Sequence, residues 1–283
     1  MAERTSPEGA AWVSALAEAC DAIATALAGM TTEERRRPVG AGAGGDVTVR
    51  VDAVAEDAII AAVEPVAART GGAILVAEER GSMPLGQGGP TTLVVDPIDG
   101  SLNAKRGLSI FSTAVAVANG PTMGDVWLGF VRDYGSGSTY VAERGRGAWR
   151  DGTPVRVDPE GATLVVALEG ASPRRLAAAC GPLDGQVHRV RAMGSLALSL
   201  CAVANGSADA MAGLTSARSV DTAGAQLICR EAGALVGMPG PDDVGETPLD
   251  IDARHPIVAA NNIEALTLLD RARDAALEAA AVP

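Results

Sequence analysis

Histidine and aromatic side chains are scarce in this chain: two His, two Phe, two Tyr and three Trp stand among 283 residues. His188 and His255 are too few and too isolated for a His-based zinc site. The four cysteines, Cys20, Cys180, Cys201 and Cys229, include no C-x-x-C pair and sit among apolar neighbours. They read as buried free thiols rather than disulfides or metal ligands. Positive charge is in deficit. A net charge of −12 argues against nucleic acid or an anionic membrane as partner, since such a field attracts neither. No run approaches the ~18 consecutive apolar residues that span a bilayer. Glu3, Glu8, Glu18 and Asp21 lie in or before the first apolar stripe, unlike a secretory signal. A cytoplasmic protein is expected.

What the chain has is Ala, Gly and Val, with 47% apolar residues in all, enough to bury the core of one or two domains. Ser6-Pro7-Glu8 reads as an N-cap with Pro at the first helical position. Trp12, Leu16, Cys20, Ile23, Leu27 and Met30 follow at helical spacing. Val47, Val49 and Val51 alternate with polar residues as a strand, and from Asp52 the period becomes helical again. Ala73–Val76 and Thr92–Val95 read as buried strands. Residues 111–157 are β in character and broken by hairpin signals such as Asn119-Gly120-Pro121 and Asp151-Gly152. Beyond about residue 160 strands and helices alternate. The reading is an α+β half, residues 1–157, followed by an α/β half, residues 158–283.

Gly40-Ala41-Gly42-Ala43-Gly44-Gly45 matches the dinucleotide fingerprint G-x-G-x-x-G. Basic residues and Pro38 precede it where a strand is required, and a strand follows where a helix should open, so it reads as a mobile loop.

The acids carry more. Glu78-Glu79 ends one apolar strand, and Asp96 with Asp99 ends the next. Carboxylates crowded at adjacent strand ends repel one another unless a cation lies between them. Oxygen ligands without His or Cys select Mg²⁺, Ca²⁺ or Mn²⁺; the plainer alternative is a solvated acidic turn. Gly100-Ser101 can open a short helix whose free N–H groups face a phosphate. A covalent role for Ser101 lacks an adjacent base.

Asp96-Pro97-Ile98-Asp99-Gly100-Ser101, the upstream Glu78-Glu79 and Ser219-Val220-Asp221-Thr222-Ala223-Gly224 together resemble the inositol monophosphatase family. The likeness extends in order through Asp52-x-x-x-Glu56, Gly145-x-Gly147-Ala148, His188–Gly194, Gly206–Asp209, Glu231-Ala232-Gly233 and Ala259–Asn261, nearly the whole chain. The resemblance implies an alternating αβαβα sandwich, usually a homodimer, that hydrolyses phosphomonoesters with Mg²⁺ and is often inhibited by Li⁺. It gives Glu78, Asp96 and the Ile98 carbonyl to a first Mg²⁺, and Asp96, Asp99 and Asp221 to a second, with a third ion near Glu78. It further implies a catalytic set of Asp52, Ser101 and Glu78, in which Asp52 and Ser101 would position and help deprotonate the attacking water, and Gly100 and Ser101 amides that would cradle the phosphate.

Three departures stand out. Thr48 lies four residues before Asp52, one more than in the usual D-x-V-T-x-x-D stretch. Ser101 stands for the commoner Thr. Met211–Val220 lacks the Glu that reads inositol hydroxyls, Val220 replaces the usual Trp, and Arg218 stands beside it. Asp99–Gly107 looks more like the archaeal-type members that also accept fructose 1,6-bisphosphate. The expected substrate is thus a small phosphorylated polyol or sugar: inositol 1-phosphate, alternatively fructose 1,6-bisphosphate. A catalytically idle binding protein would have lost a metal ligand, and none is lost. Candidate substrate contacts are Asp99, Lys105, Arg106, Arg191, Ser195 and Arg218, the cations because Arg and Lys suit a remote phosphate.

Overall fold

Sequence period decides the layers. In the computed structural model, which describes residues 5–43, 45, 47–170, 172–238 and 244–281, apolar residues of each central strand alternate between two separate cores. Helix α1 (Pro7–Ala28) starts on Ser6, whose side chain accepts from the Gly9 N–H at 3.1 Å. A one-turn α2 (Thr32–Arg35) and a hairpin of β1 (Pro38–Ala41) and β2 (Val47–Val49) lead into α3 (Arg50–Arg69). Val51, expected in the strand, is instead a buried residue of the helix, because α3 begins two residues ahead of Asp52. The glycine stretch falls in this hairpin, with Gly40 in β1; Gly44 lies outside the described residues.

Among the described residues the next strands form an eight-stranded sheet: β3 (Ala73–Ala77), β4 (Gly81–Leu85), β5 (Thr91–Asp99), β6 (Ser112–Ala118), β7 (Val126–Asp133), β8 (Thr139–Glu143), β9 (Gly147–Arg150) and β10 (Thr153–Val155). Their order is 10-9-8-7-6-5-3-4, with β3 and β5 parallel. Helix α4 (Ser101–Arg106) leaves the end of β5. The second sheet has β11 (Val165–Glu169), β12 (Arg189–Arg191), β13 (Ala210–Gly213), β15 (Leu235–Gly237) and β17 (Val258–Ala260), in the order 12-11-13-17-15. A two-stranded ribbon of β14 (Ala217–Arg218) and β16 (Arg254–His255) stands apart. The remaining helices are α5 (Pro173–Leu183), α6 (Leu196–Ala204), α7 (Ser219–Glu231) and α8 (Ile263–Ala281).

One core packs Trp12, Leu16 and Ile23 of α1 and Ile59 and Val63 of α3 against Leu75, Leu93, Val95 and Val115 of the first sheet. The alternate residues Val94, Ala114 and Ala116 face α6 and α7, whose other side meets Ala167, Met211 and Ala259 of the second sheet. Val166, Leu168, Ala210 and Val258 point the opposite way, onto α5 and α8. The order is therefore αβαβα, as the resemblance implies. By mean hydropathy α1 is long and apolar enough to cross a membrane, a feature that counting unbroken apolar runs missed. Its Trp12, Leu16 and Cys20 are buried against α3 and the sheet. The four thiols are free; Cys180, expected to be buried, is partly exposed on α5.

Several motifs of the likeness hold the fold. Glu231 accepts the Gly145 and Gly147 N–H groups at 2.8 Å each. Asp209 accepts those of Leu164 and Val165 at 2.7 and 2.8 Å. Asn261 reaches the carbonyls of Asp158 and Gly161.

Candidate active site

Strand β5 does not stop at Asp96 as expected but continues to Asp99, with a register irregularity: Asp96 lies opposite Ala114 and Asp99 opposite Ser112. Three steps on one strand oppose two on the other, the count of a β-bulge, which re-aims side chains at a sheet edge. Asp96 is buried and accepts the Ile98 N–H at 3.0 Å. Gly100 then turns the chain at φ 82°, where a Cβ would lie 2.9 Å from the Gly194 carbonyl oxygen and 3.0 Å from that of Ile110. Glycine is required there on both counts. Helix α4 follows, and the Ser101 and Leu102 N–H groups have no carbonyl one turn back.

Asp99 belongs to α6 as much as to its own strand. It accepts from the Ser195 hydroxyl, from the Leu196 and Ala197 N–H groups at 3.1 and 3.0 Å, and from the Ser112 hydroxyl at 3.1 Å. A carboxylate at a helix N-terminus is stabilised by the free amides and the dipole. The segment before α6 is clamped from two further sides. Glu169, buried at the end of β11, accepts from the Met193 and Gly194 N–H groups at 2.9 and 2.8 Å and from the Ser199 hydroxyl at 2.6 Å. The Asn103 amide donates to the Ile110 and Met193 carbonyls at 2.7 and 2.8 Å. The sequence reading missed Glu169 and Asn103 as site residues, because no local pattern marks a partner this remote.

Asp221 is supplied by the first turn of α7, where it accepts the Arg218 N–H at 2.9 Å. Gly224, one turn on, lets α7 descend onto the sheet: a Cβ there would lie 2.3 Å from the Val115 carbonyl oxygen. The Arg218 guanidinium lies between acids. It pairs with Glu78, approaches Asp221 Oδ1 at 3.7 Å, and leaves Nε and Nη1 buried without a partner among the described residues. Burial opposes its charge, but Asp221, Glu78 and Asp96 outweigh that and raise its pKa.

Asp52, in the first turn of α3, meets Lys105 of α4: Nζ lies 3.1 Å from Asp52 Oδ2 and 3.3 Å from Ser101 Oγ. Glu79 accepts from the Thr48 hydroxyl and donates its own N–H to Glu56 at 3.0 Å. A cleft of about 550 Å³ is lined by Glu78, Asp96, Asp99, Ser101, Arg218 and Asp221 among others. Of the expected substrate contacts, Asp99 and Arg218 line it but are engaged with partners. Ser195 is buried against Asp99, and Lys105 is paired with Asp52. Arg191 is exposed on β12 outside the lining, and Arg106 is exposed at the end of α4.

Comparison with known proteins gives the family. Residues 9–276 match the family described as the inositol monophosphatase family. The chain belongs to the inositol monophosphatase family. It is therefore a phosphatase. Over 264 residues it is 32% identical to a fructose-1,6-bisphosphatase/inositol-1-monophosphatase of Methanothermobacter thermautotrophicus, covering 88% of this chain and 90% of that one. A bifunctional NADP phosphatase/NAD kinase of Methanocaldococcus jannaschii is 31% identical over 69% of this chain, which spans 39% of that protein's length. A crystal structure of an inositol monophosphatase-fructose 1,6 bisphosphatase superposes with TM-score 0.74 at 28% identity, covering 90% of this chain and 98% of that one.

Inositol monophosphatases are generally metal-dependent, and the donor chemistry here fits a hard divalent cation. Burial first, then the charges of Glu78, Asp99 and Asp221, push Asp96 well above the usual carboxylate range. Burial raises Asp221 to about 6 and Asp99 to about 6, the latter against its four hydrogen bonds. Like charges held this way gain from a divalent ion. As the side chains stand, no three of the described acids converge on one point, because Arg218 lies between Glu78 and Asp221 and Asp99 is turned to α6. Two predictions follow from those contacts. Arg218→Met should tighten Mg²⁺ binding about tenfold by calorimetry, roughly the ~1.4 kcal/mol worth of removing a competing cation; weaker binding would show that Arg218 does not compete. The second concerns pH. Carboxyls raised in the folded state bind protons there that the unfolded chain has released. Their contribution to stability is complete below about pH 4 and is lost as pH rises through about 6. Metal-free protein should thus melt on the order of 5 °C higher at pH 5 than at pH 8, and Mg²⁺ should reverse much of the difference.

Proposed function

We propose that this phosphatase is a Mg²⁺-dependent phosphomonoesterase acting on inositol 1-phosphate. The observation that carries the reading is the set of mutually repelling acids, buried Asp96 and Asp99 with half-buried Asp221 and Glu78, that line one cleft with Gly100 and Ser101. Glu78, Asp96 and the Ile98 carbonyl would hold one ion, and Asp96, Asp99 and Asp221 a second. When bound, such ions neutralise phosphoryl charge and acidify water. The chain's own groups do the rest. The Gly100 and Ser101 N–H groups at the start of α4 would receive phosphoryl oxygens. Ser101 Oγ holds the attacking water, whose proton passes to Asp52. The water oxygen bonds to phosphorus as the ester P–O bond breaks, and the leaving alkoxide takes a proton from solvent. Burial raises Asp52 to about 6, which suits proton acceptance near neutrality.

A monophosphate is favoured over fructose 1,6-bisphosphate by the cleft lining. Among the described residues that line it, Arg218 is the one cation, and it is paired with Glu78 and Asp221. The bisphosphate remains the second reading because the Methanothermobacter relative carries both names. Phosphate release from inositol 1-phosphate, fructose 1,6-bisphosphate and NADP, each with Mg²⁺ and with EDTA, tests the assignment. The expected result is Mg²⁺-dependent release with kcat/KM highest for inositol 1-phosphate. A clear preference for either other substrate overturns the substrate, and EDTA-resistant turnover overturns the metal.

A further inference from the structure

The Lys105 ammonium has two acceptors, Asp52 Oδ2 at 3.1 Å and Ser101 Oγ at 3.3 Å. These are the two groups assigned to the attacking water, and they come from different elements, Asp52 from α3 and Ser101 from the first position of α4. Lys105 is one helical turn beyond Ser101, so its side chain runs back over that residue, and it carries the only cation of α4 that faces Asp52. Both the lysine and its partner are shielded, with side-chain exposures of 23% and 6%. The contact also divides the two oxygens of Asp52. Oδ2 accepts from Lys105, while Oδ1 is buried without a partner among the described residues. A buried carboxylate oxygen left bare is costly unless a donor arrives during function.

We infer that Lys105 is a positioning residue of the hydrolysis: it ties Asp52 to Ser101, occupies Oδ2, and leaves Oδ1 as the oxygen that accepts the proton of the attacking water. This replaces the expected role of Lys105 at a remote phosphate and rests on the phosphomonoesterase reading above. The surrounding charge supports it. Burial raises Asp52, Lys105 is the main force opposing that rise, and Glu79 and Glu78 of the turn after β3 add to it. Lys105 is thus the cation that keeps a buried carboxylate ionised beside two other acids. A single ammonium does this through two directed N–H bonds, which fixes the Ser101 hydroxyl as well as the charge.

Steady-state kinetics on inositol 1-phosphate at saturating Mg²⁺ test this with wild type, Lys105→Ala and Lys105→Arg. The alanine variant should lose about tenfold to a hundredfold in kcat, a part of the factor that a well-placed proton acceptor provides, with KM within about twofold of wild type. Added methylammonium should restore part of the lost kcat, whereas tetramethylammonium, which has no N–H to donate, should not. Lys105→Arg should recover a part as well, and compared with Lys105→Gln it repeats the test should the alanine variant fail to fold. A raised KM with unchanged kcat would assign Lys105 to substrate and overturn the inference. So would unchanged kinetics, or a loss that neither methylammonium nor arginine relieves. A wild type without Mg²⁺-dependent turnover would remove the functional reading itself, and this inference with it.

Discussion

Asp96→Asn is expected to abolish turnover while making the metal-free protein more stable. Asp96 is the carboxylate proposed to serve both ions, so its loss should reduce kcat on any phosphomonoester by about 10³-fold or more, several kcal/mol of transition-state stabilisation. The stability effect has the opposite sign. Asp96 is buried, and Glu78, Asp99 and Asp221 all oppose its ionisation. Asparagine keeps an oxygen to accept the Ile98 N–H, now at 3.0 Å, while removing a charge that burial and three neighbouring acids oppose more strongly than Arg218 offsets it. At pH 8 the melting temperature without metal should rise by about 3 °C or more, and the gain conferred by Mg²⁺ on wild type should vanish. Retained activity would show that the acids serve the fold alone. A lower metal-free melting temperature would show that Arg218 already neutralises Asp96.

Gly224→Ala is expected to cost the fold heavily through a single methyl group. Gly224 has an ordinary helical backbone, so its requirement is space alone: an added Cβ would stand 2.3 Å from the Val115 carbonyl oxygen and 2.9 Å from its carbon. The opposing position is equally tight, since a Cβ on Gly129 would lie 2.3 Å from the Gly224 carbonyl oxygen. Neither strand backbone can retreat without breaking the sheet, so α7 must lift. Overpacking of this kind costs about 3 kcal/mol or more, seen as a melting temperature lower by roughly 5–10 °C. Because Asp221 lies on the same helix one turn earlier, the shift should also reach the site. A displacement of about 1 Å can reduce rate on the order of 10²-fold. A normal melting temperature with normal kcat would mean that α7 accommodates the methyl group, and that its closeness to the sheet does not set Asp221.

Much of the fold was legible because it rests on local preference. Ser6-Pro7, the 3–4 spacing of Trp12 to Leu27, and the apolar run Thr92–Val95 fall in α1 and β5. Strand β4 escaped notice because Pro84 argues against a strand. The sheet tolerates it because β4 is an edge, where a missing N–H costs little. The prolongation of β5 through Asp99 was also hidden, since Pro97 reads as a break and only pairing with β6 carries the strand past it.

The acids themselves were visible from sequence as residue types at strand ends, and the family followed from their order along the chain. Which group each one holds was decided by tertiary structure. Asp99 meets Ser195 from 96 residues away, and Glu78 meets Arg218 from 140. Lys105 and Arg218 looked like cations free for a second phosphate, yet they face Asp52, Glu78 and Asp221. Sequence period fixes which face of a strand or helix a residue occupies. Only strand register and the height at which α6 and α7 settle between the sheets fix what lies opposite, because those contacts form after the backbone has already chosen its local shape.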